Sequence, residues 1–227
     1  MMLQLTGRQK IYCYLFLILI LISFHNINFS DSVNSLFKIK EFNIHSNTNE
    51  SLNKEISESL YQFKDLNIFQ INPDEIKKTL ESFNYIGNYK IKKKYPSLIN
   101  IEYEKTKIIA YYFENNQKFY LGENGKKIKK KIIGDSLPLI IGDVKPENFL
   151  DLRKEIILNK LNFNDFTKFF SFKSNRWDLE YKNNIIIKLP IDNLDLSLNL
   201  FKEIIEKLDL ENINIIDLRI KNNVILS

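Results

Sequence analysis

Residues 67–83 read NIFQINPDEIKKTLESF, and this pattern predicts a short loop followed by an amphipathic helix. Asn72 is a suitable N-cap, Pro73 occupies the first helical position, and two acidic residues follow in the first turn. The apolar stripe of this predicted helix consists of Ile76, Leu80 and Phe83.

The segments on either side of this helix extend the pattern to a small α+β unit. Upstream, residues 37–44 alternate apolar and polar side chains, as a strand does, and a second amphipathic helix ends near Phe63. Downstream, residues 89–93 and 98–103 are predicted strands. The order over residues 37–107 is therefore strand, helix, helix, strand, strand. The upstream helix has an apolar stripe of Leu52, Ile56, Leu60 and Phe63.

The rest of the chain, residues 108–227, is predicted to be rich in strands. Asn124-Gly125 predicts a hairpin whose two central residues both need positive φ. The segment 137–142 (LPLIIG) predicts a buried strand. Further strands are predicted over residues 108–113, 118–121, 177–181, 185–189, 213–220 and 224–226. Helices are predicted over residues 149–161, with Phe149, Leu152, Ile156 and Ile157 inward, and 196–208, with Leu196, Leu200, Ile204 and Leu208 on one face.

An uncharged segment near the N-terminus predicts on which side of a membrane the rest of the chain lies. Residues 11–24 carry no charge, and the uncharged segment extends to Phe29, which is long enough for a membrane helix. Arg8 and Lys10 precede it, and basic residues stay on the cytoplasmic side. The alternative, a cleaved signal peptide, lacks a small-residue cleavage site. We predict a cytoplasmic tail over residues 1–10, a single transmembrane anchor over 11–29, a linker over 30–36, and the remaining chain outside the cytoplasm.

Charge and composition narrow the classes of function. The chain has 33 basic and 28 acidic residues, one cysteine and two histidines. A single cysteine excludes a disulfide framework and a cysteine-based zinc site. Residues 89–131 hold twelve lysines and four glutamates, which fits a solvated sheet edge first and membrane contact second. Nucleic acid comes third, because an exported domain rarely meets it, and we expect no nucleic-acid partner.

Several short motifs occur in a defined order and carry a resemblance. They are NIFQI at residues 67–71, KKYPSL at 93–98, LPLIIG at 137–142, RW at 176–177 with LP at 189–190, and IDLR at 216–219. In this order, behind an N-terminal anchor, they resemble the FtsQ/DivIB family of bacterial cell-division proteins. The resemblance implies an α+β fold class: a single N-terminal transmembrane helix, a POTRA domain of order βααββ at residues 37–107, and a β-rich domain with flanking helices at 108–227.

The resemblance also implies a function and partners. It implies a non-enzymatic divisome scaffold of the inner membrane at the division septum, with periplasmic C-terminal domains. This scaffold would recruit FtsB and FtsL, contact other divisome proteins through its POTRA domain, and help control septal peptidoglycan synthesis. In the family the partner adds a strand to the last strands of the β-domain. The residues at the corresponding edge of this chain are Arg219, Ile220, Asn222, Val224 and Leu226.

The residues outside these motifs offer no catalytic, cofactor or metal set. His45 and His25 are widely separated, and no second cysteine is present to pair with Cys13. For Arg176-Trp177, a packed indole beside an exposed or paired guanidinium is favoured over a binding site. Asp217 with Arg219 is interpreted as a structural pair or a partner contact. Two alternatives stay open: an envelope POTRA protein that serves transport as a chaperone-like binding module, and a secreted hydrolase.

Overall fold

The structure, a computed structural model, describes residues 7–25, 34–46, 50–129, 137–220 and 223–227. These residues form two compact units. The first unit comprises Met1–Ser82 and Tyr89–Tyr103, and the second comprises Phe83–Asn88 and Glu104–Ser227. Both units combine helices with strands around buried apolar side chains, so the predicted α+β class is confirmed.

Helix α1 spans Gly7–His25. Its large apolar side chains are exposed on every side, from 37% at Ile20 to 70% at Tyr12. Within the described residues, we find no helix that combines the length and the apolar character needed to cross a membrane. Residues 26–29 of the predicted anchor and 30–33 of the predicted linker lie outside the described residues.

The first unit has the predicted order of elements. Its elements are β1 (Glu41–Ser46), α2 (Glu50–Leu60), a 3₁₀ turn (Tyr61–Phe63), α3 (Pro73–Glu81) and most of β2 (Ile86–Lys94) and β3 (Leu98–Lys105). The first three residues of β2 and the last two of β3 belong to the second unit. Among the described residues these strands form a three-stranded sheet of order β1-β3-β2, with β1 parallel to β3. The prediction is wrong at the start of β1, because residues 37–39 pair with the loop before α3 instead of with the sheet. The Ile39 N–H donates to Leu66 O at 2.9 Å.

Helix α3 confirms the prediction made from its cap. The Asn72 side-chain oxygen accepts the backbone N–H of Asp74 at 3.0 Å, and Pro73 begins the helix. Ile76 and Leu80 are fully buried, as the stripe predicts, whereas Phe83 follows the end of α3 and is only partly buried. In α2 and the turn after it, all four residues of the predicted stripe are buried. Local capping and helical periodicity therefore specify this unit well.

The second unit is a mixed sheet covered by two helices. Its strands are β4 (Ile108–Glu114), β5 (Gln117–Gly122), β6 (Lys127–Ile128), β7 (Leu139–Gly142), β8 (Phe166–Ser171), β9 (Trp177–Tyr181), β10 (Ile185–Lys188), β11 (Ile215–Asp217) and β12 (Ile225–Leu226); its helices are α4 (Pro146–Leu158) and α5 (Leu194–Lys207). In the described residues these nine strands form one sheet, in the order β12-β11-β10-β9-β8-β7-β4-β5-β6. Pairs β4/β7, β7/β8 and β10/β11 are parallel.

An aromatic cluster forms the centre of this unit. Phe149 of α4 is fully buried, with its ring centroid 5.0 Å from that of Phe169 and 6.0 Å from that of Trp177. The same buried cluster includes Leu198 and Phe201 of α5. The indole of Trp177 is 2% exposed, so the predicted packing of the Arg176-Trp177 motif is confirmed for the tryptophan.

Two hairpin turns show how the chain meets its left-handed backbone positions. Asn115 and Asn116 join β4 to β5 with φ of 50° and 60°, a turn that the sequence analysis did not single out. At Asn124-Gly125 the predicted hairpin forms between β5 and β6, but only Gly125 has positive φ. The expectation of a positive φ at Asn124 is wrong, and this residue instead makes a side-chain hydrogen bond to a neighbouring segment. Its side-chain amide donates to the backbone oxygen of Ile86 at 2.8 Å.

The predicted inward faces of both helices need correction. Ile157 of α4 is 47% exposed, not buried. In α5 the buried residues include Leu198, Phe201 and Ile204, whereas Leu196 and Leu208 are 58% and 46% exposed. A stripe spaced by four residues drifts around a helix that has about 3.6 residues per turn. The true buried face follows the mixed three-and-four spacing that keeps side chains on one side.

The strands also differ from the prediction in three places. β7 begins at Leu139, and only Ile140 of its residues is buried, so it is not the fully buried strand predicted for residues 137–142. β8 was not predicted at all. The strand predicted over residues 213–220 is shorter, because β11 ends at Asp217.

Candidate partner-binding edge

The last strand forms one edge of the sheet in the second unit. In the part of the chain that the structure describes, no strand lies beyond β12. Ser227 and Ile215 exchange both backbone hydrogen bonds, at 2.9 and 3.1 Å, and Leu226 lies opposite Ile216. Antiparallel pairs alternate between bonded and non-bonded positions. The N–H and C=O of Leu226 therefore point away from β11, toward the open side.

The five residues predicted for the partner contact have different surroundings. Arg219 and Ile220 follow β11, and Ile220 is 51% exposed. Leu226 is 40% exposed on the edge strand, and Val224 packs partly against the buried cluster. Asn222 lies outside the described residues. The structure thus brings four of the five together at one end of the sheet, although Val224 serves the core as well as the edge.

Arg219 binds the side chain of Asp217 directly. Its Nη2 lies 2.5 Å from Oδ2, its Nε lies 2.9 Å from Oδ1, and its backbone N–H donates to Oδ1 at 3.1 Å. These hydrogen bonds hold the pKa of Asp217 below its usual value, although partial burial opposes the shift. The structural pair that the sequence analysis considered is present, and it fixes the chain directly after β11.

This pair is one end of a longer arrangement of charges. Lys188 of β10 lies opposite Asp178 of β9 and opposite Asp217 of β11. On the far side, Arg176 Nε is 3.4 Å from Asp178 Oδ1. Cations and carboxylates therefore alternate across the strands, and we call Arg176, Asp178, Lys188, Asp217 and Arg219 the charged row.

Within the charged row, the two carboxylates differ in their electrostatics. Asp178 is 8% exposed, and its burial raises its pKa, although Arg176, Lys188 and Arg219 lower it. Its Oδ1 is buried and accepts no hydrogen bond from the described residues. The Arg176 guanidinium lies 4.1 Å from the centre of the Phe172 ring, a cation–π contact. The carboxylate of Asp178 is therefore buried with one oxygen that accepts no hydrogen bond from the described part of the chain, whereas both oxygens of the Asp217 carboxylate accept hydrogen bonds.

A groove of about 720 Å³ lies beside the charged row. Both ends of the row, Arg176 and Arg219, line it. Its apolar lining residues are Pro190, Ile191, Leu196, Leu200, Leu218 and Ile220. Three of these, Ile191, Leu196 and Ile220, are more than half exposed. Asp192 and Glu203 line the groove as well, so it carries charges of both signs, and its exposed aliphatic side chains suit a peptide segment that carries apolar residues.

Two lining residues of this groove differ from the prediction. Leu196 is predicted on the buried face of α5, and the guanidinium of Arg176 is predicted to be exposed or paired, with a binding site as the less favoured alternative. A helical signal was available for Leu196, because the spacing of Leu198, Phe201 and Ile204 leaves it on the outer face. No local signal reveals that Arg176 and Arg219 approach one groove, because that depends on the pairing of β9, β10 and β11.

The described residues hold no group of three or more His, Cys, Asp or Glu side chains placed to bind a metal ion. What the edge does contain is an open strand, a groove and a row of paired charges. Each of these is a feature of binding surfaces.

Comparisons with known proteins agree on one family. Residues 37–104 match the POTRA domain of FtsQ type, and residues 110–219 match the C-terminal region of the cell-division protein FtsQ/DivIB. The cell-division protein FtsQ of Rickettsia bellii is 30% identical over 70% of this chain and 61% of its own length. DivIB of Clostridium tetani is 29% identical over 66% of this chain and 64% of its own length.

The alignments cover less than two thirds of these relatives. Among solved structures, the extracytoplasmic domain of DivIB from Geobacillus stearothermophilus aligns with 47% of this chain and 97% of that domain, at 16% identity and a TM-score of 0.33. Because the two family matches follow each other in the expected order and together take in most of residues 37–219, the chain belongs to the FtsQ/DivIB family of cell-division proteins.

Proposed function

We propose that this protein is a divisome scaffold that acts by binding and not by catalysis. It recruits FtsB and FtsL and links early and late division proteins, so that septal peptidoglycan synthesis occurs at the right place. The POTRA domain contacts the other divisome proteins. Membership of the FtsQ/DivIB family supports this proposal.

The observation that carries the proposal is the open backbone of Leu226. A strand with unpaired N–H and C=O groups at a sheet edge is a template for an added strand. The partner pairs with β12, and residues beside its strand enter the groove next to Ile220. Arg176, Arg219, Asp192 and Glu203, which line the groove, then offer charged groups of both signs to the partner.

We further propose that α1 anchors the protein in the inner membrane, with its N-terminus in the cytoplasm and the two units in the periplasm. A helix whose apolar side chains are exposed all round needs an apolar environment. Arg8 and Lys10 precede its apolar part, which suits a cytoplasmic N-terminus. The protein then collects at the division septum with its partners.

The test is the change Ile220→Glu in the full chain, purified from membranes together with FtsB and FtsL. A carboxylate in the groove, next to the partner's apolar contact, is expected to abolish co-purification of FtsB. Ile157→Glu is the matched control, because Ile157 is also half-exposed but lies on α4, away from the groove. Retained FtsB in a folded Ile220→Glu variant would sink the assignment.

A fluorescent fusion tests the location independently. Bands at midcell support the scaffold. A uniform signal over the envelope contradicts it and favours a POTRA protein that serves transport or secretion.

A further inference from the structure

Three aromatic rings meet on the surface of the first unit. The Phe69 ring stacks on the Tyr95 ring at 4.8 Å between centroids, and it tilts against the Phe37 ring at 5.0 Å. Phe69 is 57% exposed and Tyr95 is 55% exposed. Large apolar side chains that cluster and stay exposed mark interaction surfaces more often than scattered ones. We call Phe37, Phe69 and Tyr95 the aromatic patch.

The backbone beneath the aromatic patch is held firmly. The Ile68 N–H donates to Phe37 O at 2.8 Å, and the Phe69 N–H donates to the Asn67 side chain at 2.9 Å. The Lys40 N–H donates to Ser97 O at 2.8 Å, which fixes the segment that carries Phe37 to the one that carries Tyr95. The rings are therefore displayed by three bonded segments, so their exposure is a built feature of this surface.

The same three segments are basic. Residues 36–40, 64–70 and 92–97 contain six lysines and one acidic residue, Asp65. Lys38, Lys40 and Lys94 are exposed, and the Lys93 amino group donates to Ile71 O at 3.0 Å, close to Phe69 in the chain. Aromatic rings beside lysines are the side chains that bind the head-group layer of anionic membranes.

The chain itself limits how far the aromatic patch can lie from α1. Only eleven residue steps separate His25, the end of α1, from Leu36, which precedes Phe37. A fully extended chain of that length spans at most about 40 Å. If α1 anchors the protein, as proposed above, the patch stays next to the membrane at a high local concentration.

We propose that the aromatic patch binds the anionic lipid surface around α1, with Phe69 and Tyr95 among the head groups and the lysines against lipid phosphates. This contact holds the POTRA domain against the bilayer. It rests on the proposed membrane anchor but not on the partners FtsB and FtsL. Charge complementarity and the short connection to α1 favour lipid over a protein as the occupant.

The experiment places a tryptophan in the patch of the full chain and reconstitutes the protein in vesicles of brominated phosphatidylglycerol, whose bromine atoms quench nearby indoles. The probe is Phe69→Trp. The matched control is Phe113→Trp, because Phe113 is 58% exposed but lies in the second unit. Trp177 is 2% exposed and contributes the same background to every variant.

The expected result is strong quenching of Phe69→Trp and no quenching of Phe113→Trp above the wild-type background. Brominated phosphatidylcholine should give less quenching, and high salt should weaken the contact with phosphatidylglycerol. Adding Lys94→Glu to the probe variant should lower the bound-to-free ratio of the patch, by about fivefold for each lysine that contacts the anionic surface.

Two results would overturn the proposal. If the chain floats with the vesicles while Phe69→Trp is quenched no more than Phe113→Trp, the aromatic patch does not contact lipid and the proposal is wrong. If the chain does not float with the vesicles, the anchor fails and the patch proposal fails with it. Co-purification of FtsB is measured separately, so loss of the lipid contact and loss of the scaffold function can be told apart.

Discussion

The guanidinium of Arg219 turns back on the carboxylate of Asp217, two residues earlier, and binds both of its oxygens. The Arg219 backbone N–H donates to the same carboxylate. This pair closes β11 and fixes the first residues of the turn that carries Ile220. It therefore connects the electrostatics of the sheet to the shape of the proposed partner site.

Asp217 should stabilise the fold at neutral pH and lose this effect in acid. Its pKa is lowered in the folded protein, so the unfolded chain takes up the proton first as the pH falls. The free energy of unfolding of wild type, minus that of Asp217→Asn, should be constant at neutral pH. It should fall as the pH drops through the ordinary aspartate pKa of about 3.9. Urea unfolding over a pH series measures it, and a flat difference would contradict the prediction.

Asp178 should show the opposite sign, although it lies in the same charged row. Burial raises its pKa, so its charged form is less favourable in the folded protein than in the unfolded chain. Asp178→Asn should be at least as stable as wild type at neutral pH. As the pH falls through the raised pKa, the free energy of unfolding of wild type should rise relative to that of Asp178→Asn. Urea unfolding over the same pH series tests this prediction. A clear loss of stability in Asp178→Asn at neutral pH would contradict it.

Proline at two neighbouring edge positions should separate partner binding from folding. The Leu226 N–H points to the open side, so Leu226→Pro should leave β12 paired and weaken partner binding by about tenfold, because one donor is lost and the ring obstructs an added strand. Ile225 occupies a bonded position opposite Asp217, so Ile225→Pro should release β12 from β11. Hydrogen exchange at β11 reports the release, and titration with FtsB reports binding. Equal affinity of Leu226→Pro and wild type would refute strand addition at β12.

Phe149 should contribute most of what α4 gives to stability. Its ring is fully buried and contacts Phe163, Phe169 and Trp177. Phe149→Ala should lower the free energy of unfolding by about 3–5 kcal/mol through lost burial and a cavity. Ile157→Ala on the exposed side of the same helix should change it by about 0.5 kcal/mol or less. Trp177 fluorescence during urea unfolding measures both, and equal effects of the two changes would show that the assigned buried face is wrong.

The first unit could be predicted from the sequence because its signals are local. The cap of α3 at Asn72 and the stripe Ile76 and Leu80 lie within nine residues of each other, and each acts within one helix. The strand pattern from residue 37 failed where residues 37–39 pair with a loop, which the alternation of side chains cannot reveal.

The second unit was harder because its strands are set by neighbours distant in sequence. β8 lies between β7 and β9, and its residues Phe166 and Phe169 are buried three positions apart, which does not resemble strand alternation. A register shift between Phe166 and Lys168 accounts for this spacing. The candidate site has the same origin, because Arg176 and Arg219 reach one groove only through strand pairing. The sequence pointed to Arg219 and Ile220, and the spacing of Leu198, Phe201 and Ile204 could have placed Leu196 on the outer face, but no local signal brings Arg176 to the same groove.

The left-handed turns of this chain relate its fold to its amino-acid composition, which is rich in asparagine. Among the described residues, asparagine, which AT-rich codons encode, adopts positive φ at Asn115, Asn116, Asn175, Asn184 and Asn193. These φ values lie between 50° and 63°, where asparagine is tolerated. Gly142 has a φ of 106°, and a Cβ there would lie 2.1 Å from Ser171 O, so no other residue fits. A drift toward AT-rich codons can therefore replace glycine in most turns of this protein, but at Gly142 the packing of β7 against β8 stops it.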